Sequence, residues 1–255
     1  MASDDGGYRE RPSRLDGAVL WQRTAAPAPA AGSGGVPYPV LPDGCMDLLW
    51  ADGRLIVAGP DTRAHVAAGR PGATFAGVRF APGTGPVLLG VPAHELRDLR
   101  VPLTELWPGA RELAERVSEA PDPAAALERL VLRRAAGCGP PDPLMRAVAA
   151  GLGAGHTVAD VAGVAGLGVR QLHRRSLDAF GYGPKTLARV LRLQRALALV
   201  REGTPYTAAA HASGYADQAH LARDTRELAG MTLSSYASLV AKRDTPQPSG
   251  SSTTA

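Results

Sequence analysis

Two cysteines in 255 residues, Cys45 and Cys138, leave no material for a disulfide framework, and their separation does not suit a metal site. A reducing, cytoplasmic setting is the expectation that follows. Aromatic residues make up only 5% of the chain, and lysine occurs only at Lys185 and Lys242, so the positive charge is almost all arginine. No run of about 18 apolar residues exists, which excludes a membrane-spanning helix. Residues 1–16 contain Asp4, Asp5, Glu10 and Asp16 and no apolar core, and so do not read as a secretory signal. No Ser/His/Asp arrangement, phosphate loop or CxxC motif is visible. The sequence therefore points away from an enzyme, names no catalytic residue and implies no cofactor.

What is present is a core-forming hydrophobic content of 45%, 30 glycines, 22 prolines and an uneven distribution of charge. Residues 1–156 hold 16 Lys/Arg against 17 Asp/Glu, whereas residues 157–243 hold 12 against 6. A neutral first part joined to a basic second part suggests that only the second meets a polyanion.

From Gly17 to about Val101 the chain reads as short strands, AVLWQR, DLLWA, RLIVAG, TFAGVRF and PVLLGV. Joints such as PAPAAGSGGVPYP, LPDG and APGTGP separate them. The expectation is a small β-rich, barrel-like domain over residues 8–102. Helical spacing takes over at Leu106, Ala110, Leu113, Ala114 and Val117, and again at Ala126, Leu127, Leu130 and Val131, suggesting a helical linker over 103–136. A GCGPPDP joint precedes an all-helical basic domain expected over 141–243. Residues 1–7 and 244–255 read as disordered tails. The fold class is α+β, with the sheet first and the helices last.

Within the basic domain the same pattern occurs twice. The first copy is TVADVAGVAGLGVRQLHRRSLDAFG (Thr157 to Gly181), and the second is YTAAAHASGYADQAHLARDTRELAG (Tyr206 to Gly230). Ala162 precedes Gly166 by four residues, and Ala210 precedes Gly214 by four. A small residue lets two helices approach, and a glycine at positive φ lets the chain leave the first of them. Thr157 with Asp160 is close to a capping box. Pro184 opens a connecting helix whose Leu187, Val190, Leu191, Gln194, Leu197 and Val200 are spaced to bury one stripe.

On the first candidate recognition helix, Gly168 to Phe180, Val169, Leu172 and Leu177 form the apolar set. Arg170, His173 and Arg174 share the opposite face, where they could read bases in a major groove. On the second, about Asp217 to Leu228, Gln218, Ala222 and Arg223 face outward. Asp217 and Asp224 would repel phosphate there, and His220 suits packing as well as contact. Arg175, Arg189 and Arg192 are placed as phosphate neutralisers, giving affinity without sequence information.

This region resembles the C-terminal domain of the AraC/XylS family of transcriptional regulators. Leu172, Arg174, Gly181 and Pro184 carry the likeness in the first copy, and Arg192-Leu193 with Ala196 in the connecting helix. Ala210, Gly214-Tyr215, Asp217-Gln218, Arg223 and Gly230 carry it in the second. The resemblance implies recognition helices entering successive major-groove turns about 34 Å apart on one face of the duplex. It also matches Arg170, His173 and Arg174, then Gln218, Ala222 and Arg223, to the family's base-contacting faces. Ser176 and Thr225 depart from it, standing where the family usually has a buried Phe. Ala209 replaces a large aliphatic, and Met231-Thr232-Leu233 replaces a Gly-Pro-type exit. Either neighbours such as Phe180 and Leu228 refill the lost aromatic volume, or the domain is loosely packed without DNA.

The run VLPDGCMDLLW (Val40 to Trp50), followed by GPDTR and GVRFAPG, looks like an uncharacterised N-terminal domain found beside this module. In the family such a domain senses a small-molecule effector or mediates dimerisation. Cys45, Asp47, His65 and His94 could be assembled into a metal site, but the spacing of a barrel metal site is missing and no metal is expected. Trp21, Trp50, Phe75 and Phe80 read as core. The whole chain thus reads as a cytoplasmic DNA-binding regulator. Its partners would be double-stranded DNA, RNA polymerase, an unidentified effector and a second copy of the chain, with no membrane. Two alternatives stay open. One is an enzyme or DNA-repair-type protein with a catalytic N-terminal domain; the other is a scaffold whose second motif, marked by Asp217, Asp224 and Thr225, no longer reads DNA.

Overall fold

A computed structural model describes residues 8–25, 39–66, 70 and 72–241. The expected tails at 1–7 and 244–255, and nearly all of the PAPAAGSGGVPYP joint, lie outside the described residues. The chain is α+β: a mostly antiparallel sheet region comes first and a helical region follows. Six strands form the main sheet: β1 (Arg9–Pro12), β2 (Ala18–Thr24), β4 (Met46–Ala51), β5 (Arg54–Ala58), β7 (Thr74–Phe80) and β8 (Arg100–Pro102). Their spatial order is β1-β2-β7-β4-β5-β8, with each neighbouring pair antiparallel. The short pair β3 (Pro39–Val40) and β6 (His65–Val66) forms a separate ribbon. Among the described residues β1 and β8 do not pair, so the expected small β-rich domain is an open sheet with helices packed on it.

The covering helices include α1 (Gly85–Leu89), α2 (Ala110–Ser118) and α3 (Pro123–Ala136). Leu48, Val57, Val78 and Phe80 from the sheet share one core with Leu89, Ala114, Val117, Leu127 and Val131 from the helices. Residues 103–136 are therefore part of the N-terminal core, since their apolar stripes have only the sheet to bury against. The segment PVLLGV is another correction. A continuous apolar run does not distinguish strand from helix. Here Pro86 at the first turn and Gly90 at φ +81° after the last give α1 a helical start and stop. Among the four aromatics expected in the core, Phe80 is fully buried, whereas Trp21, Trp50 and Phe75 are partly exposed.

α4 (Pro143–Gly153), α5 (Val158–Val164), α6 (Val169–Phe180), α7 (Pro184–Arg201), α8 (Tyr206–Ala212), α9 (Gln218–Ala229) and α10 (Leu233–Ala241) follow. They make two small cores. Met145, Val148, Leu152, Val161, Leu172, Phe180 and Leu187 pack in the first, and Leu193, Leu197, Val200, Ala209, Leu221, Leu228 and Tyr236 in the second. Each half of α7 serves one core. This is why Leu193 and Ala196 are buried in addition to the expected Leu187, Val190, Leu197 and Val200, while Leu191 and Gln194 are only partly covered.

The N-terminal domain is packed onto this helical region. Leu41 inserts into the second core, and the Ala64 amide donates to the Leu228 carbonyl at 2.7 Å. Gln194 on α7 donates to the Pro42 carbonyl at 2.6 Å. Gly181, at φ +80°, lies so close to Pro60 that a Cβ there would collide with its ring and crowd the Ala93 carbonyl. Its own carbonyl accepts from Arg97 at 3.4 Å. Tyr182 is buried next to Gly44, and burial pushes its hydroxyl pKa up. Asp43 in the same loop lies 3.4 Å from the buried Arg79. Burial opposes the Arg79 charge, but Asp47 and Asp43 outweigh it and hold the guanidinium protonated.

Candidate nucleic-acid interface

The two units share one backbone plan. α5 and α8 each have seven residues, and α6 and α9 each have twelve. In both turns the glycine is left-handed, at φ +62° for Gly166 and +82° for Gly214. The following amide reaches back across the turn in each: Leu167 to the Ala162 carbonyl, and Tyr215 to the Ala210 carbonyl. Both second helices end on a left-handed glycine, Gly181 and Gly230, whose amide bonds the carbonyl four residues earlier. Because these ends coincide, Val169 corresponds to Gln218, Arg170 to Ala219, His173 to Ala222, Arg174 to Arg223, Arg175 to Asp224, and Ser176 to Thr225.

The starts differ. Thr157 caps α5 with the full reciprocal box, its hydroxyl taking the Asp160 amide at 3.1 Å while Asp160 takes the Thr157 amide at 3.1 Å. The Thr157 hydroxyl, which also donates to the Asp160 carboxylate at 2.7 Å, and the Thr157 amide together hold that exposed carboxyl below its ordinary pKa. α6 starts after Gly168 with no side-chain cap, and α9 starts after Asp217, whose carboxylate accepts the His220 amide at 2.7 Å. Asp217 is thus committed to its own helix terminus. His220 packs edge-on against Tyr215, 5.0 Å between ring centres, which makes it a packing residue.

Arg170, His173 and Arg174 are exposed on α6, and Gln218 and Arg223 on α9, with Ala222 half-covered between them. Arg170, Arg174 and Arg223 make no ion pair or side-chain hydrogen bond among the described residues. His173 lies over Gly183, where a Cβ would meet its ring at 2.7 Å. The Gln218 carbonyl oxygen accepts from Thr207 at 3.0 Å, leaving its amide group outward. The apolar set on α6 needs correction. Leu172 is buried and Leu177 half-buried, but Val169 is 78% exposed, because the first helical residue projects beyond the neighbouring helices.

The three residues placed as phosphate neutralisers all have carboxylate partners. Arg175 pairs with Asp142 at 2.6 Å. That pair and the Leu144 amide overcome burial and hold the Asp142 carboxyl below its ordinary pKa. Arg189 pairs with Asp224 at 2.8 Å and also with Glu227. Arg192 reaches the other Asp224 oxygen at 3.2 Å and lies 4.3 Å above the Tyr215 ring. Asp224, 7% exposed, is therefore neutralised inside the domain and presents little charge to a phosphate. Sequence reasoning missed these partners because they lie 32 to 38 residues apart, beyond any local pattern. It also missed Arg195, whose guanidinium donates to the Gly153 carbonyl at 2.5 Å and to the Ser213 carbonyl at 3.3 Å, tying α4 to the second turn.

Ser176 and Thr225 are fully buried where larger side chains were anticipated. Phe180 and Leu228 are buried in the same two cores, and the Thr225 hydroxyl donates to the Leu221 carbonyl at 2.8 Å. In the N-terminal domain the four residues weighed as metal ligands have other settings. Asp47 accepts the Trp21 indole at 2.6 Å, His94 lies 3.3 Å from Asp178, the Cys45 amide bonds Asp43, and His65 is exposed on β6. Among the described residues no three His, Cys, Asp or Glu side chains come together as a metal cluster. None of the described helices is long and apolar enough to cross a membrane.

Residues 161–238 match a family described as a helix-turn-helix domain, and residues 19–102 match a domain of unknown function (DUF6597). A probable AraC family transcriptional regulator from Rhodopseudomonas palustris is 26% identical over 41% of this chain and all of its own, with a TM-score of 0.34. A ToxT variant from Vibrio cholerae is 11% identical, covers 91% of this chain and all of its own, and has a TM-score of 0.50. ToxT from Vibrio cholerae O395 is 9% identical over 89% of this chain and 99% of its own, at 0.49. No curated protein sequence matches the chain. The C-terminal region thus matches a helix-turn-helix domain, and it follows a region that matches the domain of unknown function.

Proposed function

We propose that this AraC-type helix-turn-helix chain regulates transcription by reading a specific duplex sequence with both of its units. The observation that carries the proposal is the shared register of α6 and α9, which puts an exposed arginine, unpaired among the described residues, at the same helical position in each. Arg174 and Arg223 are the proposed guanine readers, each able to pair bidentately with O6 and N7. Arg170 and His173 in the first unit, and Gln218 and Ala222 in the second, complete the proposed base-contacting faces. Arg175, Arg189 and Arg192 are proposed to meet phosphates, but only by sharing or exchanging their present carboxylates. Each then contributes less to affinity than an unpaired arginine would. The N-terminal domain is proposed to take a small-molecule effector or to pair protomers, and RNA polymerase is the proposed downstream partner.

Selection of bound sequences from a random duplex library by the full chain tests this. A motif covering two adjacent major-groove turns is the expected result. A single half-motif would reduce the second unit to backbone contacts, and no enrichment at all would sink the proposal.

A further inference from the structure

Two of the four large apolar residues most exposed among the described residues flank the same turn: Val164 at the end of α5, 92% exposed, and Val169 at the start of α6, 78% exposed. Exposed valines need no explanation singly. Val169, however, holds the helical position that Gln218 holds in the second unit, the first residue of the recognition helix. Arg170 follows it directly, and Arg174 lies five residues on, both exposed and unpaired among the described residues. An apolar side chain next to free guanidiniums at the tip of a recognition helix suits a surface that is polyanionic at its edges and carries isolated apolar groups on its floor. The major groove is such a surface, and its one apolar feature is the C5 methyl of thymine.

We infer that Val169 is a specificity-determining residue that packs against a thymine methyl group, at the tip of α6 and on the side it shares with His173 four residues on. The inference rests on the proposal that α6 enters a major groove. It assigns the first unit a mixed code, with one arginine-read guanine and one methyl-read thymine, where the second unit offers the Gln218 amide at the same position.

The test uses the full chain and the most enriched duplex from the library selection. Each thymine is replaced in turn by deoxyuridine, which removes the methyl group and leaves every hydrogen-bonding group in place. The expected result is one position in the first unit's half of the motif where wild-type affinity falls on the order of fourfold, the worth of one buried carbon. Val169→Ala should bind the thymine duplex about as weakly and be indifferent to the uridine exchange at that position. The substitution is safe for folding, since the side chain is exposed and alanine is the better helix former. Equal uridine penalties in wild type and variant, or no penalty at any position, would overturn the inference while leaving sequence-specific reading intact. A duplex enriched without thymine in that half would do the same. Failure of the chain to enrich any duplex would overturn both.

Discussion

The two helix-turn-helix units have the same backbone and opposite electrostatics at the position where each recognition helix meets its support. In the first unit Arg175 on α6 reaches Asp142, the cap of α4. In the second, Asp224 on α9 takes Arg189 and Arg192 from α7. The polarity is reversed and the burial differs as well: Arg175 and Asp142 are 34% and 38% exposed, whereas Asp224 is 7% exposed. One fold therefore fixes its recognition helix once by a partly solvated pair and once by a buried carboxylate under two guanidiniums. The consequence reaches the side proposed to face DNA. Arginines that a basic composition offers to phosphate are partly consumed in holding the second helix, and the first unit keeps more free positive charge at its face.

That comparison can be broken at several points. Asp224→Ala should have the largest effect, lowering stability by about 2–4 kcal/mol, because it leaves two guanidiniums without their shared carboxylate. Arg175→Ala at the equivalent position should cost about 1 kcal/mol or less in the same urea titration. Equal costs would mean that burial does not separate the two anchors. Arg174→Ala should weaken binding to the selected duplex by about 1–3 kcal/mol and relax preference only in the first half of the motif. Arg223→Ala should do the same in the second half. A uniform loss across sequences would turn either residue into a phosphate contact.

Acid should loosen the first anchor. The Asp142 pKa is depressed in the folded chain, so its stabilisation is full above the ordinary carboxylate range and is lost as pH falls through the folded value. Asp142→Asn should remove that part of the acid dependence, about 1 kcal/mol, in thermal melts recorded from pH 6 down to pH 3. In salt titrations of DNA binding, removing an unpaired arginine that meets a phosphate reduces the slope by about one unit. Arg192→Ala should reduce it by less, and an equal reduction would show that Arg192 leaves Asp224 on the duplex. Smallest of all, Ser176→Ala should be neutral or stabilising by about 0.5 kcal/mol, because its buried hydroxyl has no partner among the described residues. Thr225→Ala should cost about 1 kcal/mol, since that hydroxyl is bonded to Leu221.

The parts of this arrangement legible in the sequence are those with local causes. The turn glycines 166 and 214, the capping pair Thr157 and Asp160, and Pro184 at a helix start each act within a few residues, and each is found where its chemistry requires. Four of the five strand segments were legible for the same reason. The fifth, PVLLGV, became α1 because an uninterrupted apolar run has no period to separate helix from strand, and its Pro and Gly decided the matter. Val169 was misread as core because helical spacing says which residues share a face but not where the supporting helix stops. The ion pairs of Arg175, Arg189 and Arg192, and the packing of α2 and α3 on the sheet, depend on segments distant in sequence.

Leu41 belongs by chain order to the first domain and by packing to the core of the second helix-turn-helix unit. The two domains are thus not interchangeable modules. A chimera joining this helix-turn-helix region to a different N-terminal domain would inherit a leucine-sized hole in the second core, together with a Leu228 carbonyl and a Gln194 amide stripped of their partners. Voids of that kind cost about 2.7–5 kcal/mol in well-packed cores. Recombination by simple domain exchange would therefore tend to fail here, unless the Val40–Gly44 loop travelled with the helices it completes.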